Sequence, residues 1–392
     1  MKLRYLLLAV LVPALVLSCN KNGNDNNDNP NDEEQQQGQT PPEPEDEEEL
    51  PTEIVNGADL LVTNELVERF LTEVSYPDHD YSSTSILDYP PVSPGKADIP
   101  QIYSVRWNKA DIATENVVCK LWMDGWSNEI SVAAEDGYWR VTNLLPNAHY
   151  NYSVTDEAGK LVKEGQFSTH GHLHQLTFRS NVRNVRDLGG WQTTDGKTVK
   201  YRKVYRGGRL QSSTLTRTGQ KEVIAEGICA QLDLRGQSDV LSGPAIEGFD
   251  FCAPVIEEGY VQMLRDDEEK TKQCFEFIVN CVRNNKPVYY HCSLGRDRTG
   301  TVSMILLGVL GVREGDISKE YELTQFAPYG YSVSSGESIK MTRRVDYKGA
   351  ANYIWDNYVG SGETFAQGVE KYLLHIGVSQ QDINDFRSLM LQ

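Results

Sequence analysis

The sequence has little positive charge and few long apolar runs. It contains 38 Lys and Arg against 56 Asp and Glu, which gives a formal net charge of −18. A basic stripe for nucleic acid is therefore not indicated, and we expect no nucleic-acid partner. No apolar run after the first 19 residues is long enough for a membrane-spanning helix. The seven cysteines lie at irregular spacings, which argues against a disulfide framework.

The N-terminus, MKLRYLLLAVLVPALVLSC, has the pattern of a secretory signal peptide. Lys2 and Arg4 precede an apolar run that is too short for an ordinary membrane span. The run ends in Val-Leu-Ser-Cys, which resembles the lipobox of bacterial lipoproteins. The resemblance implies that Cys19 is lipidated, and that acyl chains hold the exported protein at a membrane, facing the periplasm or the cell surface. The alternative is plain cleavage with an incidental cysteine.

Residues 20–53 are rich in Asn, Asp, Gln, Glu and Pro. The segment has twelve carboxylates against one lysine, and so supplies −11 of the net charge. Because such a segment cannot offset its ordering entropy by burial, we predict a disordered tether. Residues 54–97 then combine a helix, predicted over Asn64–Val74 from its apolar spacing, with an irregular Pro- and Ser-rich stretch.

Residues 98–170 read as short strands. IYSVRW, VVCKLWM, EISVAA, YWRVTN, YNYSVT and GQFST alternate or cluster β-branched and aromatic residues between turn residues. Leu144-x-Pro146 followed by Tyr150-x-Tyr152 resembles the tyrosine corner of fibronectin type III domains. We therefore expect an all-β immunoglobulin or fibronectin type III-like sandwich that acts as a spacer or recognition module. Three tryptophans are assigned to its core or to a domain interface: Trp122, Trp126 and Trp139.

Residues 174–392 alternate strands and helices. ICAQLDLR and PVYYHC are strand patterns, and DDEEKTKQCFEFIVNCVRNN and TGTVSMILLGVLGV are helix patterns. This alternation predicts a three-layer α/β domain with a central, largely parallel sheet. The segment between PVYYHC and the next helix leaves the carboxyl end of a strand, where such sheets bind their ligands.

The stretch HCSLGRDRTG carries the chemistry. A thiol with a usual pKa of about 8.5 becomes a better nucleophile at a helix N-terminus beside a guanidinium, as Cys292 and Arg298 would be. Backbone amides would cradle an oxyanion, Gly295 would let the backbone approach it, and Thr299 would hydrogen-bond the sulfur. The implied chemistry is two in-line displacements through a cysteinyl-phosphate, with no metal or other cofactor. The residues expected to bind the phosphoryl group are Ser293, Leu294, Gly295, Arg296, Thr299 and Gly300.

This stretch resembles the signature of the cysteine-based protein tyrosine phosphatase superfamily. The bacterial secreted tyrosine and phosphoinositide phosphatases, whose loop reads HCxAGKDRTG, are more similar still. Three further segments support the resemblance, which spans residues 178–392: an N-x-R-D-x-G-G pattern at 184–190, YRGGRL at 205–210 and Asp233-Leu234-Arg235. Two features depart from the pattern. Arg296 replaces a lysine, which we expect to keep a cation at the pocket rim, and Ser293-Leu294 replaces x-Ala.

The resemblance implies that Asp297, inside the loop, protonates the leaving oxygen. The alternative is a general acid on a separate loop, with Asp266 or Asp267 as candidates. Supporting roles are expected for four residues. His291 would brace the loop, Arg186 and Asp187 would orient it through an ion pair, and Arg235 would form a buried pair or contact substrate.

A cluster of five cations has two interpretations. Lys200, Arg202, Lys203, Arg206 and Arg209 would form either a solvated strand edge or a rim that attracts anions. The expected partner is a phosphorylated protein, or a lipid or inositol phosphate, beside the membrane that holds the anchor. The oligomeric state stays open, as does the question of whether Cys229, Cys252 or another thiol protects Cys292 from oxidation.

Four functional classes follow from these features. The leading one is a phosphatase acting on phosphotyrosine and extending to phosphoinositides. A phytase-like inositol-polyphosphate phosphatase is the neighbouring alternative. A sulfurtransferase also uses a cysteine loop after a strand, but the Arg298-Thr299 pair and the RDLGG segment argue against it. The last class is a catalytically silent surface module that binds phosphate.

Overall fold

The fold is taken from a computed structural model that describes residues 50–79, 89, 97–328 and 339–392, with backbone only for 339–345. The expected signal peptide, the lipidation of Cys19, most of the acidic tether and most of the irregular segment before residue 97 lie outside the described residues. Within the described ranges, no helix combines the length and the apolarity that crossing a membrane requires.

Two β-sheets face each other in the N-terminal half. The smaller has the order β1-β3-β6, from Thr52–Glu53 (β1), Tyr103–Arg106 (β3) and Tyr138–Val141 (β6). The larger has the order β2-β8-β7-β4-β5, from Asp59–Leu61 (β2), Asn116–Met123 (β4), Trp126–Ala133 (β5), His149–Asp156 (β7) and Leu161–His170 (β8). One apolar core lies between them, which makes this part of the chain a sandwich.

The predicted tyrosine corner has a defined geometry. Along β7, the buried residues Tyr150, Tyr152 and Val154 alternate with half-exposed ones, as a strand with one face in a core requires. The Tyr150 hydroxyl accepts a hydrogen bond from the Leu145 amide at 2.9 Å. This bond ties the start of β7 to the connection before it. The assignment to the fibronectin type III family stays a prediction.

The sandwich begins earlier in the chain than expected. Strand β1 pairs in parallel with β3, and β2 pairs in parallel with β8. Residues 52–61 therefore belong to the sandwich, not to the tether that was expected to reach residue 53 or to a separate segment before residue 98. Strands of two and three residues are too short to show an alternating pattern, so the sequence did not reveal them.

The third sheet, in the α/β domain, has five strands in the order β12-β11-β13-β10-β9. They are Arg186–Asp187 (β9), Val204–Gly207 (β10), Ala230–Asp233 (β11), Asp250–Cys252 (β12) and Val288–His291 (β13). Strands β10 to β13 run parallel, and β9 pairs antiparallel with β10. The expected mixed α/β domain with a largely parallel sheet is what the structure has.

Helices cover both faces of this sheet. Arg217–Ala225 (α2) packs on one face, beside Tyr205 and Tyr289. The other face carries Tyr260–Asp266 (α3), Glu268–Arg283 (α4), Asp297–Leu310 (α5), Glu314–Glu322 (α6), Ile339–Tyr358 (α7), Phe365–His375 (α8) and Gln380–Met390 (α9). From Arg298 to Leu310, every residue of α5 is buried. Because α5 is apolar on all sides, it forms the centre of the helical layer.

A helix from the N-terminal segment completes this layer. Glu65–Glu73 (α1) buries Val67, Phe70 and Leu71 against Leu323 and Phe326, which lie just after α6. The Lys319 ammonium also donates to the Leu71 carbonyl at 3.0 Å. Residues 65–73 are therefore part of the core that supports the α/β domain.

The sandwich is docked against the α/β domain, and Leu50–Gln392 form one compact unit. The Arg202 guanidinium lies 3.7 Å from the centre of the Trp126 ring, which makes Trp126 the interface residue that was expected. The Asn143 carbonyl is 3.0 Å from the His174 ring. Trp139 is buried in the sandwich core, whereas Trp122 is only half-buried, with the Lys120 ammonium near its ring.

Candidate active site

Cys292 lies between the central strand of the sheet and the central helix. Strand β13 pairs with β10 on one side and β11 on the other, and α5 begins at Asp297. The connecting residues 292–296 therefore leave the carboxyl end of a parallel strand and enter a helix N-terminus. In α/β sheets this is the position at which ligands bind. We call residues 292–298 the Cys292 loop.

Every carbonyl from 292 to 296 faces a hydrogen-bond donor. The Cys292 carbonyl accepts from the His291 ring and the Ser293 carbonyl accepts from the Arg209 amide, each at 3.2 Å. The Asn184 side chain donates to the carbonyls of Leu294 and Gly295 at 3.1 Å, and the Arg206 guanidinium also donates to Gly295. The Arg296 carbonyl accepts from the Gly300 amide at 2.8 Å. By contrast, the amides of Ser293, Leu294, Gly295 and Arg296 donate to no group in the described part of the chain. Because buried amides are nearly always paired, four successive free donors form a cradle for an anion.

Gly295 is required by the approach of a neighbouring strand end. Its φ is +71°, and a Cβ there would lie 2.4 Å from the carbonyl carbon and oxygen of Gly207. The sequence argument attributed this glycine to space for phosphoryl oxygens. The structure gives a different reason, because the Gly207 backbone already fills the space that a side chain would need.

The surroundings of Cys292 favour its thiolate. Burial raises the pKa of this thiol, but Arg298 and hydrogen bonds from the hydroxyl and amide of Thr299 outweigh burial, and the pKa is lowered overall despite an opposing effect of Asp297. The Thr299 hydroxyl is otherwise without a hydrogen-bond partner among the described residues. Arg298 and Thr299 therefore both lie close enough to the sulfur to stabilise its thiolate. The other described cysteines with a resolved pKa shift behave in the opposite way: the pKa is raised by burial in Cys119, Cys229, Cys252, Cys274 and Cys281.

Arg298 is held from outside the loop. Its Nη1 donates to the Ile256 carbonyl at 2.9 Å, and only 6% of the residue is exposed. A guanidinium fixed at one nitrogen presents its planar fork in a defined direction. The next residue after Thr299, Gly300, has no room for a side chain, because a Cβ would lie 2.8 Å from the Tyr321 ring.

Two buried arginines and one glutamate form an ion-paired cluster that holds the Cys292 loop in place. Arg206 donates to the Gly295 carbonyl and, at 2.9 Å, to Glu320. Arg186 donates to the other oxygen of Glu320 at 2.8 Å and to the Asn184 side chain at 2.6 Å. All three charged side chains are at most 3% exposed. The expected ion pair of Arg186 is therefore with Glu320, and it reaches the loop through Asn184 and Arg206.

His291 is a neutral brace. Its Nε2 lies 2.8 Å from Nε2 of Gln231, which also donates to the Leu210 carbonyl while the Gln231 oxygen accepts from the Ala245 amide. Since an amide nitrogen can only donate, His291 accepts at Nε2 and carries its proton on Nδ1, facing the Cys292 carbonyl. Burial lowers the pKa of His291 to about 4, so the ring is uncharged at neutral pH.

Because His291 is buried in its neutral form, we expect the free energy of unfolding to decrease in acid. The pKa of His291 is about 4 in the fold against a usual 6.5, so the unfolded chain binds the proton more readily between these values. The stabilising contribution is full above pH 6.5 and is lost as the pH falls toward 4, by up to about 3 kcal/mol. We expect urea unfolding of His291→Asn to depend less steeply on pH over this window than the wild type. His149→Gln, at an exposed ring, is the control, and equal slopes in all three proteins would contradict the prediction.

Asp297 is the candidate acid that lies at the loop. Its Oδ1 accepts from the Tyr260 hydroxyl and, at 3.1 Å, from Arg296 Nε. Asp266 is instead exposed and paired with the adjacent Arg265 at 2.7 Å. Asp267 pairs with Lys270 at 2.7 Å where α4 begins. Neither Asp266 nor Asp267 hydrogen-bonds to the Cys292 loop.

Arg296 is not the rim cation that the sequence suggested. Only 8% of its side chain is exposed, because it folds back onto Asp297. Burial alone would lower the pKa of this guanidinium, but Asp297 and the Tyr260 and Tyr321 hydroxyls raise it. Arg296 is therefore a charged neighbour of Asp297.

Two other expected residues point away from the loop. Asp187 accepts from the His174 ring at 3.0 Å, the Gly189 amide at 2.8 Å and the Arg202 amide at 2.6 Å. It follows Arg186 in the strand, so the two side chains lie on opposite faces. Arg235 forms a two-point ion pair with Asp233, at 2.9 and 2.8 Å, which is the buried pair that was expected as one alternative.

The five cations at 200–209 do not form a common rim. Lys200 donates to the Leu389 carbonyl, Lys203 to the Asn285 side chain, Arg202 lies over Trp126, and Arg206 is buried under the loop. Arg209 also lies beside the loop, where its amide donates to the Ser293 carbonyl. Its half-buried guanidinium has no ion pair within the described ranges.

Sequence reasoning gave no role to Glu320 or Tyr260, and quoted Asn184 only as part of a motif. Nothing in SKEYE marks Glu320 as buried, since a glutamate on a polar helix normally faces solvent. Tyr260 is likewise one of twenty tyrosines. Asn184 could have been found, because the motif placed it two residues before Arg186.

A buried thiol with a lowered pKa, in a cradle of free amides beside a fixed guanidinium, is typical of cysteine-dependent phosphatases. The sequence profile described as "Tyrosine phosphatase family" matches residues 179–392, more than half of the chain. The chain therefore belongs to the tyrosine phosphatase family. This confirms the expected superfamily and supports the expected class of enzyme, a hydrolase of the protein tyrosine phosphatase type. The bacterial secreted subfamily stays a prediction.

Individual proteins are similar to parts of this chain. A protein of Meyerozyma guilliermondii assigned as the tyrosine-protein phosphatase OCA1 is 32% identical over 160 residues, covering 33% of this chain and 85% of the relative. A protein of Cupriavidus necator, also assigned as a tyrosine-protein phosphatase, is 24% identical over 172 residues, covering 38% of this chain and 62% of the relative. The chain thus spans less than two-thirds of the Cupriavidus protein. The crystal structure of Tk-PTP in its G95A form is 17% identical, covers 37% of this chain and 89% of that protein, and has a TM-score of 0.25.

Proposed function

We propose that the chain is an exported, lipid-anchored phosphatase that hydrolyses phosphomonoesters, phosphotyrosine foremost, through a cysteinyl-phosphate on Cys292. The observation that carries the proposal is the pairing, in one loop, of a thiol of lowered pKa with four successive amides that have no acceptor among the described residues. A phosphoryl group supplies the acceptors that those amides lack.

In the first step, the Cys292 sulfur attacks phosphorus. The S–P bond forms while the bond from phosphorus to the leaving oxygen breaks, and Asp297 gives that oxygen its proton. Arg298 binds two of the remaining oxygens with its fork and follows their charge into the transition state. The amides of the Cys292 loop hold the third oxygen and the developing charge.

In the second step, water attacks the same phosphorus. The ionised Asp297 takes a proton from the water, a P–O bond forms and the S–P bond breaks. Cys292 leaves as the thiolate that its surroundings favour, with the Thr299 hydroxyl stabilising it. Inorganic phosphate is released, and the starting state of both residues is restored.

A second candidate is an inositol-polyphosphate or phosphoinositide phosphatase. Arg209 supports this second candidate. It is half-buried, has no ion pair within the described ranges, and its amide donates a hydrogen bond to the Ser293 carbonyl. A second phosphate on the substrate would find a cation there. Phosphotyrosine remains the first candidate because Arg296 pairs with Asp297, and because the other cations of residues 200–209 contact groups elsewhere.

The export and the anchor are proposed from the N-terminal pattern alone. Cells grown with a labelled fatty acid should show label on the wild-type chain and none on Cys19→Ser; label on both would remove the anchor from the proposal.

We also propose that the sandwich is of the fibronectin type III kind, supported by its sheet orders and by the hydrogen bond between the Leu145 amide and the Tyr150 hydroxyl. It positions the enzyme rigidly, since Trp126 and Asn143 contact the α/β domain.

The test is phosphate release by the full chain in detergent, chelator and reductant. A phosphotyrosine peptide, a phosphoserine peptide, a phosphatidylinositol phosphate and inositol hexakisphosphate form the panel. We expect the phosphotyrosine peptide to be turned over best and Cys292→Ser to lose roughly 10⁴-fold or more in kcat, because the hydroxyl is a far weaker nucleophile at neutral pH. Cys281→Ser, at a buried thiol of raised pKa, is the matched control. Full activity of Cys292→Ser, or no turnover of any substrate by folded, reduced protein, would refute the proposed function.

A further inference from the structure

The chain from the end of β12 to the first residue of α3 contacts the Cys292 loop and the first turn of α5 at three points. The Ile256 carbonyl accepts from Arg298 at 2.9 Å, and the Tyr260 amide donates to the Thr301 hydroxyl, also at 2.9 Å. The third contact runs from the Tyr260 hydroxyl to Asp297 Oδ1. This one segment therefore holds both the guanidinium and the carboxylate that the proposed reaction uses.

The backbone of this segment is strained at both ends. Val255 has a φ of +60° and Tyr260 a φ of +56°, although neither residue favours the left-handed region. Such conformations persist only where the surroundings over-determine them, and they cluster at functional sites. Tyr260 is 5% exposed, with its ring against Tyr321, so the fold fixes its hydroxyl in place.

The hydrogen bonds around Tyr260 have a defined direction. Burial raises the pKa of the Tyr260 hydroxyl well above its usual value, and raises that of Tyr321 as well, so both phenols keep their protons. An ionised carboxylate can only accept, so Tyr260 donates to Asp297. The Tyr321 hydroxyl, 2.8 Å from that of Tyr260, then donates to Tyr260 and reinforces the bond.

We propose that Tyr260 is a positioning residue that fixes the orientation of the Asp297 carboxyl and stabilises its ionised form. The proposal rests on the proposed function, in which Asp297 gives its proton to the leaving oxygen and takes one back from water. The Tyr260 proton stays on Tyr260 throughout. Its hydrogen bond is strongest when Asp297 is ionised, which is the state that follows the first step and begins the second.

The prediction is a displaced pH profile in Tyr260→Phe. Activity on the phosphotyrosine peptide falls at high pH when Asp297 loses the proton that it must donate. Without the hydroxyl, the ionised carboxylate is less stable, so the basic limb of kcat/KM moves to higher pH. The free energy of one hydrogen bond to a charged group corresponds to a shift of this limb by about one pH unit. The ring and its packing are kept, so a purely structural role of Tyr260 would leave the position of this limb unchanged.

Two controls complete the experiment on the full chain. Tyr372→Phe removes another buried hydroxyl, which donates to the Leu264 carbonyl at 2.9 Å instead of to Asp297, and should leave the limb in place. Asp297→Asn should abolish the basic limb, and adding Tyr260→Phe to it should change kcat/KM less than twofold. A limb that stays in place in Tyr260→Phe, or one that persists in Asp297→Asn, would overturn the positioning role. Cys292→Ser tests the phosphatase function separately from the role of Tyr260. If Cys292→Ser kept its activity, the proposed function would be wrong, and the inference about Tyr260 would fall with it.

Discussion

Replacing Arg298 with lysine should lower kcat on the phosphotyrosine peptide roughly 10³-fold. A lysine keeps the charge but loses the planar fork that binds two phosphoryl oxygens together. Its flexible stem also loses the hydrogen bond that Arg298 makes to the Ile256 carbonyl, which now fixes its direction. Initial rates at saturating peptide, measured at the pH optimum of each protein, report the loss.

Removing the charge as well, in Arg298→Met, should raise the pKa of Cys292. Burial disfavours the thiolate, and Arg298 is the largest of the groups that compensate for burial. Thiolate absorbance, or the pH dependence of alkylation by iodoacetate, measures this directly and without any substrate. Arg265→Lys and Arg265→Met are the matched controls, since that guanidinium is exposed and pairs with Asp266. A change in kcat of less than tenfold, together with an unmoved thiol pKa, would show that Arg298 does not activate this site.

Replacing Glu320 with glutamine should destabilise the fold by about 3–5 kcal/mol, because it leaves two buried cations without a counter-charge. Glu320 bonds Arg206 at 2.9 Å and Arg186 at 2.8 Å. Burial and the like charge of Arg206 lower the pKa of Arg186 to about 10 even with Glu320 present. The amide of glutamine can accept one of these hydrogen bonds but carries no charge.

Urea unfolding at pH 7 measures the loss, with the m-value checked for two-state behaviour. Glu370→Gln is the control, since Glu370 pairs with Arg387 in a partly exposed ion pair that contributes within about 1 kcal/mol. An equal effect of the two substitutions would mean that the buried triad adds no more stability than a surface pair. The surviving folded fraction of Glu320→Gln should also turn over more slowly, because Arg206 holds the Gly295 carbonyl.

Much of the fold followed from local patterns. The strand PVYYHC, the helix that begins beside Asp297 and the long amphipathic helix before them lie where their periodicity placed them. The short strands β1 and β2 could not be predicted, because two or three residues have no measurable period and pair only through partners about fifty and a hundred residues away. Helix α1 was predicted, but its packing on Leu323 and Phe326 was not.

The candidate site divides in the same way. Cys292, Arg298 and Thr299 fall within eight residues, so a loop and one helical turn bring them together whatever the rest of the chain does. The place of Arg296 could not be read from the same stretch. Whether that cation faces solvent or folds onto Asp297 depends on Tyr260 and Tyr321, which arrive from other helices.

By itself the sequence determined the chemistry of the site: a thiol, a guanidinium and amide donors at a helix N-terminus, because nucleophile and anion cradle are contiguous in the chain. The tertiary structure alone decided how that loop is held. Asn184, Arg206 and Glu320 lie 28 to 108 residues from Cys292, yet they fix its carbonyls and leave its amides free. Tyr260, 37 residues before Asp297, decides which way that carboxylate faces. Such long-range hydrogen bonds leave no periodic trace in a sequence, since each depends on the packing of elements that only the folded chain brings together.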